Sequence, residues 1–107
     1  MKQHREFQYV YKKAKDAHSS SVVLFFLPSQ NTHKVGFTAT KKTGNAVKRN
    51  RAKRRMRALF RENSSLLKDG TYIFVAKVAI HETSYETLKK DFTKVLNRTK
   101  AIKTEND

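Results

Sequence analysis

Apolar residues recur at helical spacing near the start of the chain, and this pattern predicts a short first helix. Phe7, Val10, Tyr11 and Ala14 follow i, i+3, i+4, i+7 spacing within residues 4 to about 15. The lysines of this segment fall outside that stripe. Phe7 and Tyr11 lie one helical turn apart, so they form a single aromatic edge.

Three apolar stretches predict β-strands. VVLFFLP, Val22 to Pro28, is apolar throughout, which is typical of a strand buried on both faces. KVGFTATKK, Lys34 to Lys42, alternates between larger and smaller side chains, and TYIFVAKVAI, Thr71 to Ile80, has the composition of a central strand. His18 to Ser21 is predicted to be a loop. The short polar connection between the first two strands predicts a hairpin.

A long helical pattern separates the second and third predicted strands. It follows the turn signal Gly44-Asn45, contains no Gly or Pro, and ends at the polar residues 63–65. On a helical wheel the residues that fall together and predict a narrow buried seam are Ala52, Met56, Leu59, Phe60 and Asn63.

A capping box at Thr83 to Glu86 predicts the start of the last helix. Its predicted buried face consists of Leu88, Phe92, Val95, Leu96 and Thr99. The predicted order is therefore α-β-β-α-β-α, with an extra short strand considered near Lys41. This order is typical of a two-layer α/β sandwich, and 107 residues suffice for one domain with a modest core.

Positive charge is concentrated in the predicted central helix and in the residues just before it. The chain carries a formal net charge of +15, and ten Lys or Arg residues lie between Lys41 and Arg61. No Asp or Glu occurs between Asp16 and Glu62. On the wheel, cations cover most of the helix surface outside the seam. Like charges three or four residues apart weaken an isolated helix, so we expect an external polyanion to compensate them.

This basic helix is open to three interpretations. A solvated surface helix usually mixes charges of both signs, whereas this one has no acid before Glu62. A helix lying on a membrane needs a broad apolar face, and this seam is narrow. Nucleic acid fits best, because phosphates neutralise such a field and release counterions. In that setting the Phe7 and Tyr11 edge fits either core packing or stacking on single-stranded RNA.

Other kinds of chemistry find little support in the sequence. There is no cysteine, which removes disulfides, thiolate nucleophiles and Cys-based zinc sites. The four histidines are scattered without metal-ligand spacing, and no phosphate-binding glycine loop or nucleophile elbow occurs. We expect no metal site in the protein, no small-molecule substrate, no membrane segment and a cytoplasmic location.

Three segments in register resemble one protein family. They are FQYVY (Phe7 to Tyr11), KVGFTATKKTGNAV (Lys34 to Val47) and KRNRAKRRMRALFR (Lys48 to Arg61). This order, with Arg49-Asn50-Arg51 as the family's RNR signature, resembles the protein subunit of bacterial ribonuclease P. The similarity extends over nearly the whole chain. It implies a left-handed βαβ crossover around the basic helix, against the usual right-handed preference.

The resemblance also implies a division of labour. A large RNA subunit would carry the catalytic site and its Mg²⁺ ions, so the protein would be the non-catalytic subunit of an endoribonuclease. The protein would bind that RNA and the 5′ leader of precursor transfer RNA, and so assist removal of the leader. A generic RNA-binding or ribosomal protein and an autonomous nuclease are the alternatives.

Roles for individual residues come from the resemblance as well. It implies that the catalytic RNA is contacted by Arg49, Asn50, Arg51, Lys53, Arg54 and Arg57. It implies an aromatic cleft for the leader, lined by Phe7, Tyr11 and Phe25, and so favours stacking over core packing. Arg55 departs from the aliphatic residue usual at its position. We therefore expect a thinner seam and a less tightly packed helix, and the sequence leaves open whether Arg55 contacts RNA.

Overall fold

The computed structural model describes residues 4–103, with side chains from Gln8 onward. Its helices and strands, in chain order, are α1 His4–Lys13, β1 Lys15–His18, β2 Val22–Pro28, β3 His33–Ala39, α2 Ala46–Asn63, β4 Gly70–Ala76 and α3 Tyr85–Arg98. Short 3₁₀ segments occupy Lys41–Thr43, Ser64–Leu66 and Val78–Glu82. The predicted α/β class is confirmed, because helices pack on a sheet.

Within the described residues the strands form one sheet in the order β1-β2-β4-β3. β2 pairs antiparallel with β4, and β3 pairs with β4 in parallel. The prediction that Thr71 to Ile80 holds a central strand is confirmed for Gly70–Ala76, where six of seven residues are buried. The chain turns into a 3₁₀ segment after that point.

The predicted hairpin between the first two apolar strands is wrong. β4 lies between β2 and β3, so these two strands share no hydrogen bonds. Both predicted partners are strands, but local pattern does not encode pairing. β2 and β4 are the most apolar strands and lie side by side, where each is covered on both faces.

The extra strand also lies elsewhere than expected. Residues 41–43 form a 3₁₀ turn, so β3 ends at Ala39, short of the predicted Lys42. The additional strand is β1, Lys15–His18, which takes in part of the predicted loop. β1 was missed because Ala17 is its only buried residue, which leaves no apolar alternation to detect.

The main core lies between one face of the sheet and the helices α2 and α3. Phe74 of β4 is central, with its ring centroid 4.5 Å from that of Phe92 in α3 and 5.7 Å from that of Phe60 in α2. Leu24 and Phe26 of β2 join the same cluster. Burial of each such large side chain stabilises the fold by roughly 1.5–3 kcal/mol.

The opposite face of the sheet is covered in part by α1. Side chains alternate along a strand, so Val23 and Phe25 point away from the core formed by their neighbours. The buried residues Val10, Val23 and Ile73 lie outside the main core cluster, which agrees with a smaller second apolar layer. α1 and α2 therefore lie on opposite faces of the sheet.

Helix α3 begins one residue later than the predicted capping box. Ser84 is the N-cap, and its hydroxyl oxygen accepts from the backbone N–H of Thr87 at 3.2 Å. The predicted buried face is confirmed, since Leu88, Phe92, Val95 and Leu96 are fully buried. α2 connects the adjacent parallel strands β3 and β4, and the left-handedness of this crossover stays a prediction of the resemblance.

Candidate RNA-binding surfaces

The basic helix α2 begins at a well-defined cap. Gly44 has φ +130°, a conformation that favours glycine, and Asn45 follows as the N-cap. The Asn45 side-chain oxygen accepts from the backbone N–H of Lys48 at 3.0 Å. No acidic residue lies in the first turn, so the positive end of the helix dipole adds to the cations around it.

A seam of buried residues fixes which way the cations of α2 point. Ala52, Met56 and Leu59 are each no more than 1% exposed, and Phe60 is half-buried against the core. This confirms the predicted face of the helix. Because the seam occupies one side only, the remaining side chains are held outward at fixed angles.

Four of the candidate residues line one concave surface on the outer side of α2. Asn50, Arg54 and Arg57 are exposed, Lys53 is half-buried, and together they line a cleft of about 410 Å³. None of the described residues that line this cleft carries a carboxylate. Guanidinium groups bind phosphate in a bidentate way, and a lysine adds a point charge, so the surface suits a phosphate backbone.

Arg49 and Arg51 lie on the two flanks of α2. Arg49 is half-buried, and within the described part of the chain its Nε is buried without a hydrogen-bond partner. A buried donor left unpaired costs free energy, and that cost would be relieved if the side chain turned outward to an oxygen of a bound ligand. Arg51 is exposed on the other flank, close enough to Arg55 for its charge to affect that group.

The side chain of Arg55 makes its hydrogen bonds within the protein. Its guanidinium donates to the carbonyl oxygens of Ile80 at 2.6 Å and Thr83 at 2.5 Å. Burial, followed by the charge of Arg51, lowers the pKa of Arg55 from its ordinary value. These bonds join α2 to the 3₁₀ segment before α3, so Arg55 anchors the helix within the protein. The expected looser packing of the helix stays a prediction.

The opposite face of the sheet carries the second candidate surface. The ring centroids of Tyr11 and Phe25 are 4.7 Å apart with an interplanar angle of 74°, an edge-to-face contact. Tyr11 is 40% exposed and Phe25 is half-buried, so part of this pair faces solvent. Burial raises the pKa of Tyr11 from its ordinary value. The candidate Phe7 lies outside the residues whose side chains are described.

The candidate residues named from the sequence therefore fall into two groups in the folded protein. The outer cations of α2 form one group, and Tyr11 with Phe25 forms the other. Sequence reasoning missed a third feature, a small aromatic pocket at the edge of the sheet. Its residues come from four separate segments, and no single periodicity joins them.

Neither a metal site nor a membrane helix is found among the residues that the structure describes. Among the side chains that the structure describes, in residues 8–103, no three His, Asp or Glu groups lie close enough to hold a metal ion. No helix in that range is long and apolar enough to cross a membrane.

Comparisons with known proteins agree with the fold. The family described as Ribonuclease P matches residues 1–100. The ribonuclease P protein component of a Nitratiruptor species is 43% identical over 103 residues, covering 96% of this chain and 94% of the relative. That of Bacillus velezensis is 34% identical over 105 residues, covering 96% and 90%.

Solved structures are similar as well. The Staphylococcus aureus RNase P protein at 2.0 Å has a TM-score of 0.85 and 25% identity, covering 96% of each chain. The Thermotoga maritima RNase P protein has a TM-score of 0.78 and 22% identity, covering 97% of each chain. At this identity the similarity is evidence for the fold only.

Fold and surface together define a small, strongly basic α/β domain with a cationic helix connecting parallel strands. The chain belongs to the ribonuclease P protein family. It is thus a protein component of an endoribonuclease that is a ribonucleoprotein and takes part in transfer RNA processing. An RNA is its expected partner.

Proposed function

We propose that the chain binds the catalytic RNA subunit of ribonuclease P through α2 and the 5′ leader of precursor transfer RNA through the α1 face of the sheet. Binding both RNAs assists removal of the leader, which leaves the mature 5′ end. The observation that carries this proposal is the separation of two chemically different surfaces by the sheet. Both RNAs would be met in the cytoplasm.

The α2 surface suits structured RNA. Its contacts would be Arg49, Asn50, Arg51, Lys53, Arg54 and Arg57, all held by a helix that is anchored along its buried seam. A rigid array of cations matches a phosphate backbone of fixed shape, and such contacts position RNA without reading its sequence. Arg49 is the residue best placed to gain from binding, because its Nε has no partner in the described residues.

The α1 face suits a single strand. A leader has no fixed shape, so its bases can stack on exposed aromatic rings, at roughly 1–3 kcal/mol per base and with little sequence preference. Tyr11 and Phe25 provide such rings. Phe7 is proposed as a further leader-binding ring from the family resemblance alone. Tolerance of sequence is needed when one enzyme processes many precursors.

The protein's own groups would bind and orient RNA. The Mg²⁺ ions and the catalytic groups of the reaction would belong to the RNA subunit.

The test is 5′ maturation of precursor transfer RNA, assayed with protein alone, catalytic RNA alone and both together. We expect no cleavage by the protein alone, slow cleavage by the RNA at low Mg²⁺, and faster cleavage by the mixture. A generic RNA-binding protein would bind RNA without stimulating cleavage. An autonomous nuclease would cleave without added RNA. Either of these results would contradict the proposal.

A further inference from the structure

Three cations of α2 form a row on the side of the helix that borders the edge strand β3. Lys53, Arg57 and Arg61 follow one another at four-residue spacing, so neighbouring members lie about 6 Å apart along the helix axis. They line a cleft of about 490 Å³, and the other residues that line it are Val35, Gly36, Phe37 and Phe60. None of these described residues carries a carboxylate. The cleft therefore joins apolar and aromatic surface to a line of positive charge.

Arg57, the middle member of the row, is held over an aromatic ring. The carbon of its guanidinium lies 5.5 Å from the centroid of the Phe37 ring, which is within the distance of a cation–π contact. The Phe37 ring is itself fixed by the core. It stacks on Phe74 with centroids 5.7 Å apart, and it meets Phe60 edge-to-face at 6.0 Å. The guanidinium therefore rests on a rigid support, although Arg57 is exposed to solvent.

A supported guanidinium can act as a stacking platform. The group is planar and stacks on flat ring systems, whereas the ammonium group of a lysine is a compact point charge without a plane. Proteins that bind RNA stack unpaired bases on aromatic side chains or on the planes of arginine guanidinium groups. Because Phe37 already holds Arg57 in place, less conformational freedom is lost when a base stacks on it.

The two other cations of the row suit phosphates. Lys53 and Arg61 lie one helical turn before and after Arg57, and both line the same cleft. A nucleotide has a phosphate on each side of its base, so a base at the centre of the row brings a phosphate toward each end. In a continuous duplex the bases are stacked on one another, so only a bulged or looped nucleotide presents a free base face.

We propose that Arg57, supported by Phe37, stacks on one unpaired base of the bound catalytic RNA, while Lys53 and Arg61 bind the phosphates on either side of it. This inference rests on the proposed function for the identity of the RNA and names the feature of that RNA which α2 recognises. It separates Arg57 from Arg54, which lines the outer cleft of α2 and is not among the described residues that line this one.

The first experiment compares two variants that keep the charge and remove the plane. Arg57→Lys should raise the Kd for the catalytic RNA about tenfold, as expected for the loss of one stacked base. Arg54→Lys makes the same change at a position that contacts phosphate only, so its Kd should rise much less. Equal losses would overturn the inference and leave the proposed function intact. Failure of the wild-type chain to bind the RNA would contradict both.

A double-mutant cycle tests whether Arg57 acts together with the ring beneath it. Phe37→Leu removes the ring and keeps an apolar side chain at that position. In the Arg57→Lys background it should cause little further loss of RNA affinity, because the platform is already gone. In the Arg54→Lys background it should cause its full loss. The same additional loss in both backgrounds would show that Phe37 acts through the fold alone, and it would overturn the inference.

A nucleotide probe tests the base itself on the free, full-length chain. The ¹⁵N-labelled protein is titrated with adenosine 5′-monophosphate and, separately, with ribose 5-phosphate, which carries the phosphate without the base. We expect the nucleotide alone to give saturable NMR shifts at the Nε–H of Arg57 and at the amides of Gly36 and Phe37. These shifts should be lost in Phe37→Leu. The same shifts with ribose 5-phosphate would show that the cleft binds phosphate only, and would overturn the inference.

Discussion

Arg55 and Arg54 are neighbours in one basic run, yet the fold uses them in different ways. Arg55 donates two hydrogen bonds to backbone carbonyls outside its own helix, whereas Arg54 is exposed on the outer cleft. The sequence predicts the outward face of α2 from the seam, but it does not reveal the partners of Arg55. Those carbonyls belong to a segment 25 to 28 residues further along the chain.

Replacing Arg55 should therefore destabilise the protein more than replacing Arg54. Arg55→Ala leaves the carbonyls of Ile80 and Thr83 without their donor, which should cost about 1–3 kcal/mol of unfolding free energy. Arg54→Ala should change stability by less than about 0.5 kcal/mol. Chemical denaturation of both variants measures this. Equal stability losses would contradict the internal role of Arg55.

The reverse pattern is expected for RNA binding. Arg54→Ala and Lys53→Ala should weaken assembly with the catalytic RNA and leave the melting temperature of the protein nearly unchanged. Leu59→Ala, at a position 1% exposed, should cost about 2–5 kcal/mol of stability, with little direct loss of RNA contact. Melting and RNA binding are measured on the same three variants. A common fall in melting temperature would refute the assignment of helix faces.

Among the elements, α2 was the most predictable and β1 the least. The α2 seam repeats at helical spacing over two turns, and its turn and cap residues are local signals. β1 has one buried residue, and its strand form depends on pairing with β2. The misplaced hairpin has the same cause, because pairing of β2 with β4 joins segments that are distant in sequence. The edge pocket joins residues 33–35 to residues 60–72, and no local pattern predicts that contact.

Binding of α2 to RNA should depend strongly on salt. We assume that this helix and its neighbours neutralise about five to eight phosphates. The logarithm of the association constant should then fall linearly with the logarithm of the salt concentration, with a slope of about −4 to −7. The measurement is the affinity of the protein for the catalytic RNA across a series of potassium chloride concentrations. A slope near −1 would mean that the basic helix is not the interface.

The whole molecule carries a net charge of +15 on 107 residues, and this self-repulsion opposes the compact state. The surplus lies on the outside, since α2 packs through apolar residues and leaves most of its cations in solvent. An anion that binds these cations only in the folded state should therefore stabilise the protein.

Sulfate should raise the melting temperature of the free protein more than chloride does at the same ionic strength. Screening alone acts through ionic strength, whereas binding at a cationic site depends on the anion. Thermal unfolding in matched sulfate and chloride series gives the comparison. Identical curves would show that screening accounts for the whole effect and that no anion site is needed.

Opposite faces of one sheet are proposed to bind different RNAs. The most direct test measures binding of precursor transfer RNAs with leaders of increasing length to assembled holoenzymes. Tyr11→Ala and Phe25→Ala should each weaken precursor binding by roughly 1–3 kcal/mol if each ring stacks one base. Because the two rings touch, their losses should not be additive. Val23→Ala removes apolar volume from the same face of β2 and serves as control.

In wild type we expect affinity to rise once the leader is long enough to reach Tyr11 and Phe25, and the aromatic variants should flatten that rise. Affinity for mature transfer RNA, which has no leader, should be unchanged, and assembly with the catalytic RNA through α2 should persist. If the aromatic variants weaken mature and precursor binding equally, or abolish assembly, the α1 face is not the leader site.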